Sequence, residues 1–303
     1  MRVYTVRSNA LHVLRFNANW PEYARREAND MGHIIACMIN RADLLAEAVR
    51  SEQDALMTPP PIAHDGWGVG FYQADEVLHK KHPQPSSEKP EWGAMLGGIR
   101  SHVAIAHVRD ASVGPRRADN NHPFRMRQWL FAHAGMVEGF AAIQPRLLES
   151  MPDFLRRNVR GDTDSEHLFH VFLSFLHDAG QLDSMDVADQ AVLAALRSTI
   201  TLIDRLVSEV GAPKSNLDLV LTNGRQLYAL RRGSPMIYVE RDRLSVPEHE
   251  QGKTPRPANP VNPVRYVLVA NVAENVLPHD YRNLEDSQLI SVDRDLRVTT
   301  YSL

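Results

Sequence analysis

The order of its apolar patterns constrains this chain more than any other feature. Short strand-like runs come first, two long helical patterns fill the middle, and strand-like runs return at the end. Residues 3–16 have strand character, and Trp20 to Asp30 reads as a polar short helix or linker. His33 to Ile39 is an apolar run of the length of a buried strand. Arg41 to Arg50 has helical spacing, and Thr58-Pro59-Pro60-Pro61 is a loop that no helix can enter. Three runs bounded by Gly, Asp or Pro, namely Val69–Tyr72, Val103–Val108 and Trp129–His133, read as strands. Residues 80–92, with Lys80-Lys81, read as an exposed loop.

Ser165–Leu176 begins as a helix should, with Thr163-Asp164-Ser165 ahead of the apolar face and Glu166 in the first turn. Val187–Val210 is the second helical pattern. Strands follow at Leu217–Leu221, Gln226–Leu230, Met236–Val239, Tyr266–Ala270 and Arg297–Tyr301, with a Pro-rich mobile loop expected at Pro247–Pro263. Strands, then helices, then strands favour an α+β class over a parallel βαβ sheet, and two antiparallel sheets between helix layers fit it. With 303 residues the chain can bury a sizeable core.

Composition excludes several classes of function. No apolar run is long enough to span a bilayer, and Arg7, Arg15, Arg25 and Arg26 interrupt any signal-peptide core, so a cytoplasmic protein without membrane contact is expected. The net charge of −3 argues against a nucleic-acid partner. Cys37 is the one cysteine, so neither an internal disulfide nor a CxxC metal site can form.

Six short motifs stand in order. They are Met31-Gly32-His33-Ile34-Ile35-Ala36, His64-Asp65-Gly66-Trp67-Gly68-Val69-Gly70-Phe71-Tyr72, and Ala106-His107-Val108-Arg109-Asp110-Ala111-Ser112-Val113-Gly114. Asn120-Asn121-His122-Pro123-Phe124, Phe131-Ala132-His133-Ala134-Gly135 and Gly161-Asp162-Thr163-Asp164-Ser165-Glu166 follow. Over about residues 31–303 the chain resembles the class II glutamine amidotransferases, in particular the small stand-alone group that includes the ergothioneine-pathway amidohydrolase. The resemblance implies the four-layer αββα sandwich of the N-terminal-nucleophile hydrolases. Residues 1–30 lie outside the family pattern. They are either a misassigned start or an N-terminal extension that adds a strand or covers the site, and the strand pattern of residues 3–16 favours an ordered extension.

In that family an N-terminal cysteine attacks the glutamine amide, with its own α-amino group as base. Here the matching position is Gly32, which has no side chain and lies within the chain. Cys37 is an odd number of strand positions away, faces the opposite side, and is expected to be a buried structural cysteine. The family's oxyanion His-Asn-Gly becomes His133-Ala134-Gly135, so the Asn donor is replaced at Ala134. Loss of one such donor typically costs about 10²–10³ in rate. A third departure is Asn271-Val272, where the family often has Ser-Glu.

The amino-acid clamp is retained in the resemblance. Arg109 matches the Arg that pairs with the glutamine α-carboxylate, a partner suited to its two parallel donors. Asp164 matches the acid that takes the α-ammonium. Asn121, His122 and His133 border the pocket, and Gly135 can present its backbone N–H. The expected function is a non-catalytic binder of glutamine or a γ-glutamyl compound, or a pathway scaffold, with no cofactor and a protein partner left open. The alternative is an active glutamine amidotransferase or γ-glutamyl amidohydrolase that relies on a partner or an unusual mechanism. A pure interaction protein, its pocket blocked by residues 1–30, is a third reading.

Other patterns have plainer readings. Arg109 and Asp164 could form a structural ion pair. His64, His107, His122 and His133 could form a metallohydrolase site, but they lack helical spacing, and no metal site is expected. His167 and His170, three apart, read as one packed and one solvated residue. The Gly66/Gly68/Gly70 run lacks the Lys-Ser/Thr of a phosphate loop and reads as a packed turn.

Overall fold

A computed structural model of the chain describes residues 32–56, 64–85, 91–109, 114–244, 263–272 and 277–303. The expected N-terminal extension, the loop at Thr58–Pro61 and nearly all of the loop at Pro247–Pro263 lie outside these residues. The strands, in chain order, are β1 (His33–Ile39), β2 (Gly66–Gln73), β3 (Glu76–His82), β4 (Val103–Arg109), β5 (Phe124–Met126), β6 (Trp129–Met136) and β7 (Asn216–Thr222). They continue with β8 (Leu227–Arg231), β9 (Met236–Arg241), β10 (Tyr266–Asn271), β11 (Arg282–Asn283), β12 (Gln288–Val292) and β13 (Val298–Ser302). The longer helices are α1 (Leu45–Leu56), α2 (Phe140–Glu149), α3 (Asp164–Asp178) and α4 (Asp189–Glu209).

Among the described residues the strands form two antiparallel sheets. The seven-stranded sheet has the order β11-β9-β10-β1-β4-β2-β3, and the six-stranded sheet has the order β13-β12-β8-β7-β6-β5. Period-two alternation sorts each strand into two faces. On β1, Ile34, Ala36 and Met38 pack between the sheets against Leu130, Ala132 and Val220. Ile35, Cys37 and Ile39 point the other way, into a layer with Leu45, Val49 and Trp92. The second sheet buries its outer face against α2, α3 and α4 through Phe131, Phe169, Phe172 and Ile203. Helix, sheet, sheet and helix give the αββα sandwich of the N-terminal-nucleophile hydrolase type.

Buried polar anchors fix the layers. Glu52 on α1 accepts hydrogen bonds from Arg241 Nε (2.8 Å), Tyr266 Oη (2.6 Å) and Tyr281 Oη (2.6 Å). Burial works against its charge, but these donors together hold its carboxyl below the usual range. Asp189, at the start of α4, accepts from Gln226, Tyr228, Ser291 and Tyr301. Burial pushes the Cys37 thiol well up, as suits a structural cysteine.

Three expectations are corrected. Lys80 and Lys81 lie on β3, an edge strand hydrogen-bonded to β2, rather than in a loop. The strand is polar because edge strands carry lysine, which discourages further pairing. Its hairpin turns at Ala74 and Asp75, both at positive φ (49° and 63°). The Gly66/Gly68/Gly70 run is extended strand β2, not a turn. Finally, α2 and β12 arise from segments in which no element was expected.

Candidate functional site

The site grows from the neighbouring ends of β1, β2 and β4. Ile34 lies opposite His107, and Gly66 opposite Arg109. Alternation puts Gly32, His107 and Arg109 on the side of their strands that faces the second sheet. Gly32 has no room for a side chain. A Cβ there would stand 2.6 Å from His107 Nε2, 2.8 Å from His107 Cε1 and 2.9 Å from the Val108 carbonyl oxygen. Asn271 at the end of β10 fixes the same backbone from the other flank. Its Oδ1 accepts from the Ile34 N–H (2.5 Å), and its Nδ2 donates to the Gly32 carbonyl (2.9 Å).

His107 and His122 pack ring to ring, with centroids 4.1 Å apart. Both are buried, and burial is the main reason their basicity falls; His107 drops to about 3 and His122 falls well below its ordinary value. The charges of neighbouring His133 and Arg109 act in the same direction on both. Both rings are therefore neutral at pH 7. His107 Nδ1 and both ring nitrogens of His122 have no hydrogen-bond partner among the described residues.

The segment carrying Asn121 and His122 lies flat on β2, and the glycines of that strand permit it. A Cβ at Gly68 would stand 2.1 Å from the His122 carbonyl oxygen, and one at Gly66 would stand 2.7 Å from Asn121 Nδ2. Asn121 Nδ2 donates to the carbonyls of His82 (3.2 Å) and Trp67 (3.4 Å), which ties the segment to the β2–β3 hairpin.

Arg109 is only 4% exposed. Its guanidinium donates to the carbonyls of Gly114 (3.0 Å) and Pro115 (3.3 Å). Asn120 accepts from the Asp162 N–H and donates to the same Pro115 carbonyl, which joins this loop to the start of α3. There Thr163 caps the helix by accepting from the Glu166 N–H (3.3 Å). Asp164, also buried, accepts from the backbone N–H of Val137 (2.8 Å) and of Ser165 (2.9 Å).

His133 and Ala134 occupy opposite faces of β6. Ala134 faces the inter-sheet core, and His133 faces α3. His133 Nε2 lies 3.0 Å from the Asn216 carbonyl, which can only accept, so Nε2 carries the proton. Nδ1 then accepts from Ser165 Oγ at 2.9 Å. Gly135 follows at φ +138°, and a Cβ there would meet the Asn216 carbonyl oxygen at 2.3 Å. Opposite Ala134 in the β6–β7 ladder is Asp218, a buried carboxyl that accepts from the N–H groups of Arg232 and Ser234 (2.7 Å each). Burial raises its pKa to about 6.

The expected residues thus fall into two groups. Gly32, Arg109, Asn121 and His122 gather at the ends of β1, β2 and β4. Asp164, His133 and Gly135 gather at the start of α3 and the end of β6. The sequence pattern missed two residues that shape the first group, His107 and Asn271. In the sequence His107 reads as part of the motif that carries Arg109 or as a metal ligand, and Asn271 as a departure from the family motif. Among the described residues no three His, Cys, Asp or Glu side chains converge in a way that could hold a metal ion. Nor is any described helix long and apolar enough to cross a membrane.

Comparison with known proteins adds the lineage. The probable glutamine amidotransferase DUG3 of Saccharomyces cerevisiae is 27% identical over 58% of this chain and 51% of its own length. The putative glutamine amidotransferase YafJ of Escherichia coli is 28% identical over 54% of this chain and 59% of its own. The gamma-glutamyl-hercynylcysteine sulfoxide hydrolase of Mycobacterium tuberculosis is 36% identical over 24% of this chain and 32% of its own. The chain therefore spans at most about three-fifths of the length of these relatives. Among solved structures, a glutamine aminotransferase class-II domain protein from Silicibacter pomeroyi superposes with a TM-score of 0.56 at 20% identity, covering 89% of this chain and 98% of its own. That similarity shows a shared fold. The model of the family "Glutamine amidotransferases class-II" matches residues 57–247, more than half of the chain, and the protein belongs to that family.

Proposed function

We propose that this chain is a non-catalytic class II amidotransferase-like protein that binds glutamine or a γ-glutamyl compound without hydrolysing it. The observation that carries the reading is the occupied space at Gly32. Not only is a nucleophilic side chain missing there, but the His107 ring and the Val108 carbonyl stand only 2.6–2.9 Å from where its first carbon would be. A neighbouring histidine acting as base does not restore the family's covalent route, because no side-chain nucleophile stands at Gly32 for it to activate. Ala134 also supplies no side-chain donor to a developing oxyanion.

Ligand binding rests on Arg109 and Asp164. A guanidinium has five N–H donors, and an α-carboxylate is its natural bidentate partner. The Asp164 carboxylate accepts two backbone N–H groups and retains lone pairs that an α-ammonium can use. Support for a γ-glutamyl ligand also comes from the Mycobacterium tuberculosis relative, a gamma-glutamyl-hercynylcysteine sulfoxide hydrolase. In this reading His133 acts indirectly, orienting the start of α3 through Ser165.

Calorimetric titration of the full chain with L-glutamine tests the proposal. Saturable heat that returns to baseline is expected. Sustained heat after each injection would mean hydrolysis and would overturn the non-catalytic reading in favour of an active enzyme. Absence of heat with both L-glutamine and γ-glutamylcysteine would overturn the binding reading and leave a scaffold.

A further inference from the structure

A cavity of about 320 Å³ lies apart from the site just described, and none of Gly32, His107, Arg109 or Asp164 lines it. Its walls come from the β2–β3 hairpin, β5 and the β5–β6 turn, the β7–β8 turn, Met185 and Arg294. The walls are fixed from within. Tyr72 Oη lies 2.6 Å from the Gln128 carbonyl and 2.8 Å from the Thr222 carbonyl, which ties the first sheet to the second. Gly224 is at φ +85°, and a Cβ there would stand 2.7 Å from the Tyr72 ring.

Four arginines line this space: Arg125, Arg127, Arg225 and Arg294. Two have acidic partners, since Arg127 pairs with Asp183 and Arg225 pairs with Asp186. For Arg125 and Arg294, no carboxylate among the described residues comes within ion-pair distance. Each is nevertheless held in place by the backbone: Arg125 donates to the Val77 carbonyl (2.6 Å), and Arg294 donates to the Gly224 carbonyl (2.9 Å). A guanidinium so oriented keeps several N–H donors for another partner. Burial and the charge of Arg225 both disfavour the Arg294 charge, and Asp75 offsets part of this. Asp75 and Glu76 also line the cavity, so beyond the two paired arginines the lining sets Arg125 and Arg294 beside two carboxylates. Asn223 adds a buried side-chain nitrogen with no partner among the described residues, while its oxygen accepts the N–H groups of Arg225 and Gln226. Apolar contributions come from Val77, Leu78 and Met185, the last of them an exposed methionine.

We propose that this cavity binds a small phosphorylated metabolite, with its phosphate dianion between Arg125 and Arg294 and its organic body against Met185. A phosphate matches two forked guanidinium groups that are held by backbone carbonyls rather than by ion pairs. The volume lies at the lower end of the range of about 300–1,000 Å³ for small-molecule sites.

The test uses the full chain with inorganic phosphate and with glycerol 3-phosphate, against sodium chloride at matched ionic strength. A saturable rise in Tm with phosphate but not with chloride is expected. The single variants R125Q and R294Q alter exposed side chains and should each weaken the apparent Kd by roughly tenfold. A rise that chloride reproduces would overturn the site. So would an equal loss in R157Q/R205Q, which removes two exposed charges elsewhere, or unchanged affinity in R125Q and R294Q. Tighter binding of glycerol 3-phosphate than of phosphate supports the organic body against Met185, and equal affinity removes that part of the proposal.

Discussion

Replacing Gly32 by alanine adds a single carbon, and the structure says where it would go. Ordinary contact between carbon and its neighbours is about 3.5–4.0 Å. The added atom would stand 2.6 Å from His107 Nε2, so the ring must retreat by about 1 Å. Retreat is resisted, because the His107 ring packs against the tilted His122 ring with centroids 4.1 Å apart and is hydrogen-bonded to the His133 backbone. The Val108 oxygen, 2.9 Å from the added atom, belongs to a paired strand and cannot move independently. Overpacking of this kind costs about 1–3 kcal/mol. In a chain of this size it should lower Tm by roughly 1.5–5 °C. A double-mutant cycle by denaturant unfolding isolates the contact. His107→Ala removes the ring, so Gly32→Ala should be less harmful in that background by at least ~1 kcal/mol. Gly32→Cys carries the same Cβ and should be no more stable than Gly32→Ala. A Gly32→Ala variant within about 0.5 kcal/mol of the parent, or an additive cycle, would refute the reasoning and reopen the space to a nucleophile.

Three further outcomes follow from the same geometry. Gly68→Ala places a Cβ 2.1 Å from the His122 carbonyl oxygen and should lift the Asn121–Pro123 segment from β2, costing about 2–3 kcal/mol and exposing backbone amides to hydrogen exchange. Glu52→Ala removes the acceptor shared by Arg241, Tyr266 and Tyr281 and should cost about 3 kcal/mol in urea unfolding, with a steep loss of the parent's acid stability through the carboxylate range and a shallower one in the variant. The sign reverses at Asp218. Its folded pKa of about 6 lies above its unfolded value, so its charge destabilises the fold increasingly as pH rises from about 4 to 6. Parent stability relative to Asp218→Asn, measured at pH 4, 5, 6 and 7, should therefore fall across that window by at most roughly 3 kcal/mol and then level off.

The sandwich was largely legible from apolar spacing. His33–Ile39 has no polar residue within the run after His33, as a strand buried on both faces requires, and β1 lies inside its sheet. The start of α3 was marked by Thr163, whose side chain accepts from Glu166 as its position suggested. Other elements hid for local reasons. Pro145 sits inside α2 and reads as a helix breaker, yet burial of Ile143 and Leu147 holds the turn together. Strand β3 is polar because it is an edge. At the candidate site, Gly32 and Arg109 could be found by motif. The filling of the Gly32 space by His107 could not, since it depends on the register between β1 and β4. The clamp from Asn271 depends on a pairing across more than two hundred residues.

That last pairing has a consequence for how the chain is made. On one side β1 meets β4, about seventy positions downstream, but on the other it meets β10 near the end of the chain. During synthesis the first strand of the inner sheet must wait with an open flank until Tyr266–Asn271 emerges. Asn271, 237 positions beyond Ile34, then closes that flank and fixes the Gly32 backbone. Such non-local closure is slow, and an apolar strand left waiting invites the wrong neighbour. The proposed ligand site is therefore among the last parts of the molecule to take shape.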